Sequence, residues 1–216
     1  MLRPPENKKI ITWLIIALSL LLVFIIWIVF IAGNQFLDER VFSAIAPHIN
    51  ARRTGFMKAV SFLGNHNFLI PANLLLVFYF ISRKDRWAAV TASVVAISSV
   101  GLLSLLKNSI GRHRPPDPLV QGITNFSFPS GHAFMSVAFY GMLIWWITNT
   151  IKIRWQRITA ISFFVLLILT ICFSRIYLRV HYTSDIIAGL CIGTAWLVLS
   201  LMLMDMLKRK YFGVKQ

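Results

Sequence analysis

Hydrophobic residues along this chain come in long blocks, separated by short polar clusters that are mostly basic. A helix needs about 20 apolar residues, at about 1.5 Å each, to cross about 30 Å of hydrocarbon. Ile11–Ala32 meets that length outright. It is too long for a signal-peptide core and ends in a poor cleavage site, so it predicts an uncleaved first span. Phe68–Ser82, approached from about Met57, predicts a second, its start blurred by Asn65, His66, Asn67 and Pro71. Further spans are predicted over Trp87–Leu106, Ala133–Ile151, Ile158–Phe173 and Ile186–Asp205. The fold class is therefore all-α, a polytopic membrane bundle of six transmembrane helices, with residues 1–216 as one membrane-embedded domain. Between the first two spans, Phe36, Val41, Phe42 and Ile45 recur at helix-like spacing and Pro47 breaks the run. Short amphipathic helices at the interface are expected there, as a partial lid or as a simple connector.

Composition settles the solvent. Hydrophobic residues make up 57% and charged residues 13%, against about half and about a quarter in soluble domains. A net charge of +15 raises the question of nucleic acid, but the cations flank apolar blocks and no nucleic-acid reader motif accompanies them. Such placement suits a lipid bilayer. Thirteen of the 22 Lys and Arg fall at the N-terminus, in 83–86, in 152–157 and in the tail. That bias puts both termini in the cytoplasm. The remaining nine lie on the far side and need a reason. Cys172 and Cys191 sit inside apolar runs, which predicts buried structural thiols.

Parity supplies the reason. With six spans, the loop from Lys107 to His132 and the loop from Ser174 to Asp185 share one face of the membrane. Their polar residues include Lys107, Arg112, His113, Arg114, Ser130, His132, Arg175, Arg179, His181 and Asp185. Fixed cations beside imidazoles suit a dianion, and phosphate fits best, because Arg offers forked donors and Lys a point charge. Ser130 and Gly131 fall at the predicted start of the fourth span, where free N–H groups and the helix dipole favour an anion. Gly131 lacks a Cβ, so a phosphate can approach the main chain. His181 and Asp185 are four apart and are expected to share a helical face. The carboxylate would fix the tautomer of His181, leaving its other nitrogen as nucleophile, while His132 protonates the leaving oxygen. No acidic cluster offers Mg²⁺ its carboxylates, so neither a metal nor any other cofactor is expected.

These residues fall in three motifs: K-x6-R-P at Lys107–Pro115, P-S-G-H at Pro129–His132 and S-R-x5-H-x3-D at Ser174–Asp185. Complete, in order and flanked by spans, they resemble the three-part signature of the type 2 phosphatidic acid phosphatases, which share their core with vanadium haloperoxidases. The resemblance implies His181 as nucleophile, Asp185 as its partner and His132 as acid. It implies Lys107, Arg114, Ser130, Gly131 and Arg175 as phosphate ligands. Arg112, His113, Arg179 and Ser174 are not carried over with equal weight; Arg112 and Arg179 also suit anchoring at the interface. The implied reaction is hydrolysis of the terminal phosphate of a membrane lipid. The small size, six spans and outward-facing site resemble the bacterial members acting on phosphatidylglycerophosphate; undecaprenyl pyrophosphate or a broader set is the alternative.

Two other readings compete. A transporter or scramblase would line its path with mid-span charges, and these spans carry none. A vanadate-dependent oxidase is disfavoured because those relatives are soluble. Gly189 and Gly193 form G-x-x-x-G in the last span, a dimer face or, more simply, close packing inside the bundle.

Overall fold

The structure, a computed structural model, describes residues 36–212. The first predicted span, Ile11–Ala32, and the N-terminal basic cluster lie outside the described residues. The described chain is helical: α1 (Phe36–Ile45), a 3₁₀ turn (Ala46–His48), α2 (Ala51–Phe62), α3 (His66–Ser82), α4 (Arg86–Ile110), α5 (Gly131–Thr150), α6 (Arg154–Tyr177) and α7 (Thr183–Phe212).

Local chemistry sets the breaks between helices. Pro47 opens the 3₁₀ turn that ends α1, where its missing N–H and fixed φ are tolerated. Asn50 caps α2 by accepting from Arg53 N–H at 2.9 Å. The polar run that blurred the second span resolves into a turn at 63–65, and Asn65 caps α3 through Asn67 N–H at 2.9 Å. Asp85 caps α4 through Ala88 N–H at 3.0 Å. At its other end α4 stops on Gly111 with φ of 65°, a left-handed conformation that glycine adopts without steric cost.

Four stretches are long and apolar enough to cross a membrane: Ala51–Ser82, Arg86–Ile110, Arg154–Tyr177 and Thr183–Tyr211. Leu74, Leu75 and Phe78 of α3, Ile97 of α4 and Leu166 of α6 are exposed, as lipid-facing residues must be and as large apolar patches on a soluble protein rarely are. Helix α5, the fourth predicted span, is not among the four. It is the hub of the bundle, packing most extensively against α7 and α6 and also against α4. It buries Phe134, Val137, Phe139, Tyr140 and Met142. Cys172 and Cys191 are both buried and unbridged.

The G-x-x-x-G glycines also face α5. A Cβ on Gly189 would lie 2.8 Å from the Ser130 carbonyl oxygen, and one on Gly193 would lie 3.1 Å from that of Phe134. Their smallness therefore seats α7 on the start of α5, which favours packing within the bundle over a dimer face. Helices also run past their predicted apolar spans, α6 from Phe173 to Tyr177 with Arg175 among them. Helix α4 continues from Leu106 to Ile110, carrying Lys107, and α7 begins at Thr183 rather than Ile186, taking in Asp185. Apolar periodicity stops at the edge of the hydrocarbon, while capping carries the helix a further turn into the polar rim.

Candidate active site

The end of α4, the 111–130 loop, the start of α5, the end of α6 and the turn 178–182 meet at one rim. Arg114 Nη1 lies 3.2 Å from Nε2 of His181 and donates at 2.5 Å to the Val180 carbonyl. Ser130 N–H donates to the Asp185 carbonyl at 3.1 Å, tying the start of α5 to the start of α7. Lys107 Nζ and Arg114 Nη2 both donate to the Phe126 carbonyl, at 2.5 and 3.3 Å. Two cations from separate elements thus converge on a single oxygen, although Coulomb repulsion alone would part them.

His181 does not share a helical turn with Asp185. It sits in the turn before α7, while Asp185 lies in the first turn of that helix. The spacing brings them together by another route. Asp185 Oδ2 accepts from Tyr182 N–H at 2.9 Å, a carboxylate reaching back to the residue before the helix as in a capping box. The same oxygen lies 3.5 Å from Nδ1 of His181 and accepts a hydrogen bond from the Ser127 hydroxyl. With Nδ1 turned to the carboxylate, Nε2 is left to face the cations.

His181 is 1% exposed. Burial is the main cause that pushes its pKa down, to about 4. Arg114 and Arg175 add to that depression, while Asp185 opposes it. The ring is therefore neutral at pH 7, with a lone pair on one nitrogen. Arg114 also has its pKa lowered, chiefly by burial, yet an Arg starts so high that it stays charged.

Arg175 is buried, and its Nη1 donates to the Ser61 hydroxyl at 2.5 Å. Its Nε and the Nε2 of His132 are both buried and have no hydrogen-bond partner among the described residues. Native proteins leave few such atoms, since each costs about 1–3 kcal/mol. Both atoms lie at the rim where the motif residues meet, on an imidazole and a guanidinium suited to an anion. Ser130 is 0% exposed and caps α5 by accepting from Ala133 N–H at 3.4 Å. Its own N–H is taken by Asp185, so the expectation of a free amide at Ser130 is corrected. The first-turn donors left over belong to Gly131 and His132. A Cβ on Gly131 would meet Leu103 Cδ2 at 3.3 Å and Lys107 Cε at 3.7 Å.

Three residues outside the predicted set belong to this arrangement. Arg112, placed by the sequence at the rim and suited also to anchoring at the interface, donates to Asp185 Oδ1 at 2.6 Å and to Asp38 at 3.1 Å. Ser127 holds the other Asp185 oxygen. Ser61 of α2 holds Arg175, so the segment between the first two predicted spans is more than a connector. Only Arg112 had a sequence signal, its place between Lys107 and Arg114. His113 is exposed, and the Arg179 guanidinium lies 5.5 Å from the Phe42 ring centroid.

The sequence profile of the PAP2 superfamily matches residues 87–209, the stretch that holds every predicted site residue. The chain is 28% identical to phosphatidylglycerophosphatase B of Bacillus subtilis (strain 168), over 81% of this chain and 88% of that one. It is 30% identical to undecaprenyl-diphosphatase of Sulfolobus acidocaldarius, over 87% and 88% of the two chains. Its fold superposes on the crystal structure of the PAP2-type phosphatidylglycerolphosphate phosphatase from Bacillus subtilis with a TM-score of 0.82. That likeness covers 91% of this chain and 98% of that one, at 20% identity. Helical architecture, clustered motifs and profile agree, and the chain belongs to the PAP2 superfamily as a multi-pass membrane phosphatase.

Proposed function

We propose that this protein removes the terminal phosphate of a membrane lipid, with phosphatidylglycerophosphate as principal substrate and phosphatidylglycerol as product. The observation that carries the reading is the setting of His181, with Nδ1 beside Asp185 and Nε2 3.2 Å from Arg114 Nη1. An attacking nitrogen needs a free lone pair and a cation nearby to hold the phosphoryl oxygens in line.

In the proposed reaction the Nε2 lone pair of His181 forms a bond to phosphorus while the phosphorus–oxygen bond to the lipid breaks. His132 gives its proton to the departing oxygen. Water then attacks phosphorus, passes a proton back to His132, and releases phosphate with return of neutral His181. Asp185 holds the ring and balances the charge it gains. Lys107, Arg114, Ser130, Gly131 and Arg175 hold the non-bridging oxygens, one of which takes the position between Lys107 and Arg114 now filled by the Phe126 carbonyl. Burial and the nearby cations Arg175 and Arg114 both disfavour a proton on His132, so it acquires its proton together with the dianion, whose charge offsets those cations. The cations supply the charge stabilisation that a metal supplies in other phosphatases, so we assign the reaction no metal.

In this reading residues 1–216 form one domain of six spans, made by Ile11–Ala32 and the five described long segments. Both termini are cytoplasmic and the site lies at the extracytoplasmic side. Acyl chains stay in the bilayer while the headgroup reaches the rim. The name of the Sulfolobus relative favours a second substrate, undecaprenyl pyrophosphate, which presents nearly the same terminal phosphoryl group. Phosphate release from both lipids by purified protein, compared as kcat/KM, separates the two. His181→Asn should lower release from either by at least about 10³-fold while the protein remains folded, and retained turnover would remove the nucleophile assignment.

A further inference from the structure

Asp38 of α1 takes no part in that chemistry, yet it is 2% exposed. A carboxylate buried so far needs partners for its charge. Its Oδ1 accepts from Ser184 N–H at 3.0 Å, and its Oδ2 accepts from the Ser184 hydroxyl at 2.8 Å and from Arg112 Nη2 at 3.1 Å. The other arm of the guanidinium, Nη1, donates to Asp185 Oδ1 at 2.6 Å and to Ser184 Oγ at 2.8 Å. Its carbon lies 4.0 Å from the Tyr182 ring centroid. One guanidinium therefore bridges two carboxylates, one from α1 and one from the first turn of α7.

Stability is a weak explanation for such a cluster, since apolar replacements of buried ion pairs are often neutral or stabilising. Orientation and charge explain it better. Asp38 fixes the Arg112 fork and the Ser184 amide; the fork fixes Asp185 Oδ1, which leaves Oδ2 toward His181. Arg112 facing Asp185 alone would cancel its charge. With Asp38 the group of three carries one net negative charge, so Asp185 still presents a negative potential to an imidazole that becomes cationic when it bonds to phosphorus.

We propose that Asp38 is a positioning residue for the phosphoryl-transfer step, acting through Arg112 on Asp185. The inference rests on the reading of His181 and Asp185 given above. It makes α1, which follows the first predicted span, part of the reaction machinery.

The test is a double-mutant cycle on the full-length protein in detergent, with saturation kinetics of phosphate release from phosphatidylglycerophosphate. Asp38→Asn should lower kcat about tenfold, by analogy with the outer partners that orient metal-ligating side chains, with KM within about twofold of wild type. Asp185→Asn should lower kcat by about 10³–10⁴-fold, by analogy with the orienting carboxylate of a hydrolase triad. If Asp38 acts through Asp185, adding Asp38→Asn to Asp185→Asn lowers kcat no further. A wild-type kcat for Asp38→Asn, a further tenfold loss in the double variant, or a loss confined to KM would each overturn the inference. Full activity of Asp185→Asn would overturn the underlying mechanism instead. Should Asp38→Asn not fold, Arg112→Lys, which keeps the charge and removes the fork, enters the same cycle with the same outcomes.

Discussion

The burial of His181 has a measurable signature in pH. The perturbation is acidification of the purified enzyme from pH 8 to pH 4. A histidine in water loses its neutral form below its ordinary pKa of about 6.5, whereas His181 titrates at about 4 because it is buried and faces Arg114 and Arg175. At pH 5.5 the neutral fraction would be about 97% for the buried ring and about 9% for an ordinary one. Because kcat/KM reports ionisations of the free enzyme, the two cases differ by about tenfold at that pH. The assay is phosphate release at low substrate between pH 4 and 8, corrected for ionisation of the lipid phosphate by titrating the substrate in the same micelles. An acid limb near pH 4 is expected after correction. A corrected limb at about 6.5, with activity at pH 5.5 down tenfold, would refute the assignment of a desolvated nucleophile. The sign for stability follows from the same shift. Between about 4 and 6.5 the unfolded state binds more protons, so stability from this residue is complete above 6.5 and is lost as pH falls through about 4. The loss is roughly 3 kcal/mol, from about 1.4 kcal/mol per unit.

Gly189→Ala places a Cβ 2.8 Å from the Ser130 carbonyl oxygen, where backbone must give way, so unfolding in detergent should show a loss of about 1–3 kcal/mol together with reduced kcat. Gly141→Ala meets only the far end of the Leu197 side chain, at 2.5 Å; it should fall nearer neutral, and equal losses in both variants would contradict the seating of α7 on α5. A topology reporter fused after Pro118 should score as extracytoplasmic in cells, and a cytoplasmic signal there would reverse the orientation.

Much of this protein is legible along the chain because the bilayer imposes a simple rule. Backbone polar groups in hydrocarbon must be satisfied within the helix, so apolar runs of sufficient length announce themselves. The ends of α3, α4 and α5 are written locally as well, in Asn65, Asp85 and Ser130, since a cap needs only a short side chain within reach of its own helix. The motif residues could be named before any fold was known, because cations, imidazoles and one carboxylate in those spacings fit phosphate chemistry. Tertiary structure decided what holds them. That Ser130 offers its N–H to Asp185 rather than to an anion, that Arg112 grips the carboxylate, and that Asp38 and Ser61 reach in from α1 and α2 are consequences of contacts between residues up to 146 apart in sequence. Such partners carry no periodicity and no local spacing. A buried charge takes whichever donor the packing brings within about 3 Å, and only the assembled bundle determines which residue that is.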